Sequence, residues 1–274
     1  MTELPTIRAA LERSGLVPLD AQVLLAHAIG HDRTWLAAHA GEALPRAGAD
    51  SFFALAKRRR DGEPVAYLTG VREFWGLALA VSPAVLIPRP ETETLVELAL
   101  ARLPDDRDIA VLDLGTGSGA IALAIAHERP RATVIATDAS ADAAAVARAN
   151  AQRLGLTNVE VRHGDWFAGL PNTRFDLIAA NPPYVAAADP HLGEGDVRFE
   201  PRAALTPGDD GLAALRTIGG GARSYLARGG TLVVEHGYDQ SAAVRALFAA
   251  AGFTDIVAAR DLAGIPRVVA GIAP

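Results

Sequence analysis

The sequence of 274 residues contains no cysteine, which excludes disulfide bonds, thiolate zinc sites and cysteine nucleophiles within it. It also lacks a charge-free apolar run of about 18 residues, the minimum for a membrane-spanning helix. Acidic side chains occur early in the first 15 residues, and no apolar core of a signal peptide follows them. These absences predict a protein of the cytoplasm that does not bind a membrane.

The composition that remains is typical of a folded globular chain. Hydrophobic residues make up 50% and charged residues 21%, a balance that disordered chains do not have. The length fits one large domain or two smaller ones. We therefore expect a well-packed core and some domain structure.

The charges are unevenly distributed along the chain. Residues 1–60 carry eight basic and six acidic side chains, and the other 18 bases and 26 acids leave residues 61–274 with a net charge of −8. An acidic major part is a poor match to a protein that must hold a long duplex by its phosphates. Stable nucleic-acid binding is therefore not expected.

The hydrophobic pattern predicts three segments. Residues 1–60 show mostly helical spacing of apolar side chains, interrupted by glycine and proline, and predict a small helical domain. Residues 61–90 form a connector in which alternating apolar residues predict a strand or hairpin, followed by three prolines. Residues 91–274 form the third and largest segment.

In the third segment, predicted strands and helices alternate. Strands are expected at residues 109–114, 133–137, 159–162, 175–180, 231–235, 255–258 and 267–270, and helices at 120–128, 141–154, 209–227 and 240–251. This alternation predicts an α/β fold with a mostly parallel, Rossmann-like sheet that carries helices on both faces.

A glycine-rich turn follows the first of these strands. Residues 115–119 read Gly-Thr-Gly-Ser-Gly and lead directly into a helix. Glycines allow the backbone to approach a ligand closely, and ligands of such sheets bind at the carboxyl ends of the strands. The spacing differs from the dinucleotide fingerprint, which disfavours a pyrophosphate, and an ordinary turn between strand and helix is an equally good interpretation.

An acidic residue, Asp138, ends the second strand. In nucleotide-binding sheets a carboxylate at this position accepts hydrogen bonds from ribose hydroxyls. The alternative is that it caps the next helix, a role that Ser140 could fill instead. Together with the glycine-rich turn, Asp138 favours an adenosine-containing ligand.

The most specific motif is Asn181-Pro182-Pro183-Tyr184, directly after a strand. The two prolines fix φ and lack N–H groups, and each restricts the residue before it to extended backbone. The result is a stiff corner with two acceptors, the Asn181 side-chain oxygen and the Pro182 carbonyl, beside an aromatic wall from Tyr184. Such a corner suits the binding of a planar NH2 group, although a rigid loop with a capping Asn is the simpler alternative.

These three motifs, in this order, resemble a class I methyltransferase that uses S-adenosylmethionine and acts on amino groups. Within that class, the connector sequences Glu-Phe-Trp-Gly-Leu at 73–77 and Ile-Pro-Arg-Pro-Glu-Thr-Glu at 87–93 closely resemble the release factor glutamine methyltransferases. The segment Glu-Pro-Arg-Ala-Ala-Leu at 200–205 does so as well. The resemblance covers nearly the whole chain.

The resemblance implies a set of functional residues. It assigns to the cofactor Gly115, Thr116, Gly117, Ser118, Gly119, Asp138, Asp165, Trp166 and Asn181. It assigns to the substrate glutamine Asn181, Pro182, Pro183 and Tyr184, and to catalysis Asn181, Pro182 and Tyr184. Trp166 would stack on the adenine, and Arg89 and Glu91 would close over the cofactor or the peptide.

The activity that the resemblance implies is methylation of the glutamine N5 atom in the Gly-Gly-Gln motif of class 1 release factors. S-adenosylmethionine would be converted to S-adenosylhomocysteine without a metal, by a monomer whose helical domain docks the protein substrate. A ribosomal-protein glutamine methyltransferase and, less favoured, a nucleic-acid adenine methyltransferase are alternatives. A cofactor-binding scaffold without activity would require unfit motif residues, and all of them are intact.

Overall fold

The computed structural model describes residues 4–274, which divide into two compact units. The first unit comprises residues 4–71 together with Glu194–Phe199, and the second comprises Arg72–Gly193 and Glu200–Pro274. Within residues 4–274, every helix is too short or too polar to cross a membrane. The boundaries expected from the sequence, at residues 60 and 90, stay a prediction.

The first unit is helical. Its helices are α1 (Ile7–Arg13), α2 (Pro18–Ile29), α3 (Arg33–Ala38), α4 (Arg46–Arg60) and α5 (Val65–Thr69). They enclose an apolar core whose largest buried members include Leu24, Leu25 and Phe52. The segment 194–199 joins this unit through Arg59, whose guanidinium contacts Asp20 at 2.7 Å and Asp196 at 2.6 Å.

The second unit is α/β. A hairpin of β1 (Val71–Phe74) and β2 (Leu77–Ala80) and a 3₁₀ turn (Pro90–Thr92) precede the main sheet. The strands of that sheet are β3 (Ile109–Leu114), β4 (Ala132–Asp138), β5 (Val159–His163), β6 (Phe175–Ala180), β7 (Leu226–Glu235), β8 (Thr254–Arg260) and β9 (Pro266–Ile272). The helices are α6 (Glu93–Arg102), α7 (Ala120–Glu128), α8 (Ala141–Leu154), α9 (Ala213–Ala222) and α10 (Ser241–Ala250).

The main sheet has seven strands in the order β5-β4-β3-β6-β7-β9-β8. The first five are parallel, and β9 pairs antiparallel with both β7 and β8. The strand order reverses between β3 and β6, so the loops that follow these two strands diverge and leave a crevice at the carboxyl ends.

Successive side chains of the central strands alternate between two cores because a strand presents them to opposite faces. Leu177 and Ala179 of β6 face the core formed with α6 and α7, whereas Ile178 and Ala180 face the core formed with α9 and α10. Helices therefore cover both faces. The expected mostly parallel, Rossmann-like sheet and the helical amino-terminal region are confirmed.

Two neighbouring predicted elements, the helix over 209–227 and the strand over 231–235, are wrong in their extent. The helix expected over 209–227 covers only Ala213–Ala222, and β7 already begins at Leu226. In the sequence, Gly229 and Gly230 disfavour a strand that begins before Thr231. In the sheet, Leu226 pairs with Phe175, and a register shift accommodates the two glycines between the paired stretches.

Candidate active site

A cavity of about 360 Å³ lies at the carboxyl ends of β3, β4, β5 and β6. The residues named from the sequence that line it include Gly115, Thr116, Gly117, Ser118, Asp138, Asp165, Trp166, Asn181 and Pro183. Four separate loops supply these residues. The sheet topology thus brings together most of the residues that the sequence motifs had singled out.

The glycine-rich turn is held by the neighbouring strand. The Gly115 and Thr116 amides both donate to the Thr137 carbonyl at 2.9 Å, and Gly115 and Gly117 have φ values of 72° and 56°. A Cβ placed on Gly117 would meet no protein atom within 4 Å. The backbone at Gly117 is therefore open to a ligand in the cavity.

Gly119, the last glycine of the turn, has a different role. A Cβ at this position would lie 2.9 Å from Leu123 Cδ1 and 3.4 Å from Ala147 Cβ, so Gly119 faces α7 and α8. Its absent side chain lets α7 begin directly against α8. Gly119 shapes the site through helix packing.

Beneath the turn lies a buried carboxyl group. Thr116 Oγ1 donates a 2.6 Å hydrogen bond to Asp113 Oδ2, and Asp113 is fully buried. Burial raises the pKa of Asp113 to about 7, against the opposing effect of the hydrogen bond from Thr116. Asp113 was not among the functional residues expected from the sequence.

Asp138 is the last residue of β4 and binds backbone on both of its oxygens. Oδ2 accepts from the Gly117 amide and Oδ1 from the Ser140 amide, each at 2.8 Å. Ser140 is the N-cap of α8, with its side chain accepting from the Ala143 amide. Asp138 is thus free of the capping role and retains acceptor capacity toward the cavity.

Trp166 lies against the glycine-rich turn. Its φ of 46° is a left-handed conformation that aromatic residues rarely adopt. A Cβ added to Gly115 would lie 3.6 Å from the Trp166 ring. The indole and the preceding residue, Asp165, form one wall of the cavity.

The Asn-Pro-Pro-Tyr corner follows β6 and is divided between the cavity and the protein interior. Asn181 Nδ2 donates to Thr92 Oγ1 at 3.1 Å, which leaves Oδ1 as the acceptor of the side-chain amide. Pro183 lines the cavity, whereas Pro182 is buried. The Tyr184 hydroxyl donates to Glu235 Oε1 at 3.1 Å, so the phenol is turned toward β7.

Arg89 lines the same cavity and forms an ion pair with a buried carboxylate. Its Nη2 atom lies 2.5 Å from Glu200 Oε2, whose side chain is inaccessible to solvent. Glu200 Oε1 also accepts from the Ile87 amide at 3.3 Å. The pair connects two of the sequence segments that carry the family resemblance. Glu91 lies on the 3₁₀ turn and acts electrostatically on Glu235.

Sequence reasoning missed three residues at the corner: Thr92, Glu235 and Gln240. Gln240 Nε2 donates to the Tyr184 carbonyl at 3.0 Å, and Glu235 is 1% exposed. A signal for Glu235 was present, because an acidic residue ends an otherwise apolar strand, as Asp138 does. Thr92 and Gln240 carry no such signal.

A mostly parallel sheet with the order seen here, and a glycine-lined cavity at its switch point, are consistent with the class I methyltransferase fold. Residues 92–194 match the family model described as methyltransferase small domain, and residues 4–70 match the one described as PrmC N-terminal domain. In fold, the chain is similar to the T. thermophilus 16S rRNA N2 G1207 methyltransferase, with a TM-score of 0.56 and 20% identity. The alignment covers 74% of this chain and 50% of that one.

Two curated relatives cover almost the whole chain. One, from Burkholderia pseudomallei, is 52% identical, over 98% of this chain and 96% of its own. The other, from Xylella fastidiosa, is 53% identical, over 98% of this chain and 97% of its own. Both are release factor glutamine methyltransferases. This chain belongs to the release factor glutamine methyltransferase family.

Proposed function

We propose that this protein transfers a methyl group from S-adenosylmethionine to the N5 atom of the glutamine in the Gly-Gly-Gln motif of class 1 release factors. The observation that carries the proposal is the hydrogen bonding of the Asn181 side chain. Its Nδ2 is held by Thr92, and its Oδ1 is left to accept a hydrogen bond at the edge of the cavity.

The cavity suits a nucleoside ligand. Asp138 offers carboxylate acceptors for ribose hydroxyls, Trp166 offers an aromatic face for a base, and the open backbone at Gly117 permits close approach. When bound, S-adenosylmethionine would supply an electrophilic sulfonium methyl group and would leave as S-adenosylhomocysteine, and the methylated nitrogen would release one proton to solvent. Because that methyl is already reactive, the proposal includes no metal.

The chain's own residues act on the glutamine nitrogen. The lone pair of an amide nitrogen is delocalised into its carbonyl, so the nitrogen is a weak nucleophile. Asn181 Oδ1 and the Pro182 carbonyl accept its two N–H groups and stabilise the positive charge that develops on nitrogen in the transition state. Their placement on a proline-stiffened corner reduces the entropy lost on orienting the substrate.

The release factor is a transient protein substrate, and the protein acts as a monomer in the cytoplasm. The net charge of −8 over residues 61–274 argues against stable binding of nucleic acid. The helical first unit docks the protein substrate in this proposal.

The test is a comparison of substrates. The purified protein is incubated with labelled S-adenosylmethionine and, in separate reactions, a class 1 release factor, ribosomal protein, RNA or DNA. We expect label in the release factor alone, and mass spectrometry should locate one methyl group on the glutamine of the Gly-Gly-Gln peptide.

The matched control is a release factor in which that glutamine is replaced by alanine, and it should remain unlabelled. Labelling of ribosomal protein in preference to release factor would support the alternative protein substrate. Labelling of nucleic acid alone would overturn the proposal.

A further inference from the structure

Glu235 is a buried carboxyl group that the proposed mechanism does not use. It is the last residue of β7, which pairs with β6, and β6 leads into the corner that carries Asn181. Its exposure is 1%, and Oε2 has no hydrogen-bond partner among residues 4–274. Burial of a carboxylate is costly, so its presence beside the site requires a reason.

The polar groups around Glu235 lead to Asn181. The Tyr184 hydroxyl donates to Oε1 at 3.1 Å, and the nearby Thr92 hydroxyl lowers the pKa of the carboxyl group. The oxygen of Thr92 in turn accepts from Asn181 Nδ2 at 3.1 Å. Glu235 therefore lies near Tyr184 and Thr92 and does not itself line the cavity.

The direction of these bonds follows from the chemistry of each group. An ionised carboxylate only accepts, and a threonine hydroxyl has a single hydrogen. If Thr92 donates that hydrogen to Glu235, its oxygen must accept from the NH2 end of Asn181. The carboxamide then has one orientation, with its oxygen available to the substrate.

We propose that Glu235 is a positioning residue that, through Thr92, keeps the Asn181 oxygen turned toward the substrate amide. This inference rests on the proposed function. With Glu235 protonated or replaced by glutamine, Thr92 can donate to Asn181 instead. The carboxamide can then turn around and present its NH2 group to a substrate that offers only N–H donors.

The charged surroundings place the ionisation of Glu235 in an accessible pH range. Burial raises the pKa of Glu235 to about 6, and Glu91 on the 3₁₀ turn acts in the same direction. Thr92, Tyr184 and Arg267 of β9 act in the opposite direction on that pKa. The adjacent His236 is buried, and burial lowers its pKa.

The second unit also holds Tyr184 at its other end. Gln240 Nε2 donates to the Tyr184 carbonyl at 3.0 Å, while the Gly237 amide donates to Gln240 Oε1 at 2.9 Å. The segment that begins at Glu235 thus binds Tyr184 at both its hydroxyl and its carbonyl. Loss of the Glu235 charge alone should therefore leave the backbone of the corner in place.

The first experiment measures steady-state kinetics with release factor. In Glu235→Gln we expect kcat to fall by about 10- to 100-fold, somewhat less than direct loss of a transition-state contact. The dissociation constant for S-adenosylmethionine should change by less than about threefold, since Glu235 does not line the cavity. Glu97→Gln, at an exposed position on α6, is the matched control.

The pH profile separates positioning from packing. Wild-type kcat should fall as pH decreases through about 6, and Glu235→Gln should lack this decrease. Asp113, with a pKa of about 7, titrates in both proteins, so the difference between the two profiles isolates Glu235. An unchanged kcat and pH profile in a folded Glu235→Gln would overturn the inference.

Two Thr92 variants provide a second route if Glu235→Gln folds poorly. Thr92→Ser keeps the hydroxyl and should retain most of kcat, whereas Thr92→Val keeps the shape and should lose it. Equal kcat in the serine and valine variants would contradict the inference.

A readout without substrate distinguishes failure of this inference from failure of the proposed function. In nuclear magnetic resonance spectra, the side-chain NH2 signals of Asn181 can be assigned by their loss in Asn181→Ala. They should shift as pH passes through about 6 in the wild type and stay constant in Glu235→Gln. Constant signals in both proteins would refute the link even if the release factor is methylated.

Discussion

The Asp138 carboxylate and the Gly117 amide are joined by a 2.8 Å hydrogen bond, although 21 positions separate them in sequence. The bond ties the end of β4 to the glycine-rich turn after β3. Asp138 Oδ2 therefore shapes the turn, and the same residue lines the cavity. The ribose-binding role proposed for Asp138 can be tested by substitution.

Replacing this carboxylate should weaken cofactor binding. Asp138→Ala removes the Gly117 contact and the acceptors for ribose, and hydrogen bonds to charged groups contribute about 1.5–3 kcal/mol each. We expect the dissociation constant for S-adenosylmethionine, measured by calorimetry, to rise by about 10- to 100-fold. Asp106→Ala, at an exposed position, is the matched control. Equal affinity in Asp138→Ala would reject the ribose-binding role.

Removing the Asn181 side chain should affect turnover far more than cofactor affinity. Asn181→Ala deletes the acceptor of the corner, and we expect kcat to fall by about 10²- to 10³-fold, as for loss of one transition-state hydrogen bond. Cofactor affinity should change only a few-fold. Steady-state kinetics and calorimetry measure the two quantities, with the exposed Asn172→Ala as control. A kcat close to that of the control would contradict the assignment.

Replacing either of two glycines in the same turn by alanine should lower the free energy of unfolding by different amounts. Gly119→Ala combines a φ of 89° with a Cβ 2.9 Å from Leu123, and we expect a loss of about 2–4 kcal/mol in the free energy of unfolding. Gly117→Ala has a φ of 56° and open space, so its loss should be about 1–2 kcal/mol. Denaturant titration measures both values.

Cofactor affinity should show the reverse order, because Gly117 lines the cavity. We expect Gly117→Ala to weaken S-adenosylmethionine binding more than Gly119→Ala does. If Gly119→Ala weakened binding more while remaining the more stable protein, the roles given to the two glycines would be wrong.

The stability of the protein should depend on pH through Glu235. Burial raises the pKa of Glu235 from 4.5 to about 6, which destabilises the folded state above pH 6 by on the order of 2 kcal/mol. The folded state binds the proton more tightly, so this loss develops as pH rises from about 4.5 to 6. Glu235→Gln carries no such charge.

We therefore compare the free energies of unfolding of wild type and Glu235→Gln at two pH values. The difference, variant minus wild type, should become more positive by about 1 kcal/mol between pH 5 and pH 8. Denaturant titration at each pH measures it, and Glu97→Gln should show no such change. A pH-independent difference for Glu235→Gln would mean that the carboxyl titrates normally.

The sheet and most of the cavity could be predicted because their signals are local. The apolar strand 109–114 and the strand before Asn181 stand out by composition, and both have the predicted bounds in the structure. The start of β7 could not be predicted, because Gly229 and Gly230 disfavour a strand locally and only pairing with β6 accommodates them.

Sequence by itself determined the order of strands and helices and the chemical groups at each strand end, since these follow from side-chain periodicity and proline and glycine stereochemistry. Tertiary structure alone decided which of those groups meet. Thr92 and Glu235 lie 143 positions apart. The placement of the 3₁₀ turn brings Thr92 to Asn181, and the pairing of β7 with β6 brings Glu235 to Tyr184. Hydrogen bonds between distant segments depend on packing, which no local pattern encodes.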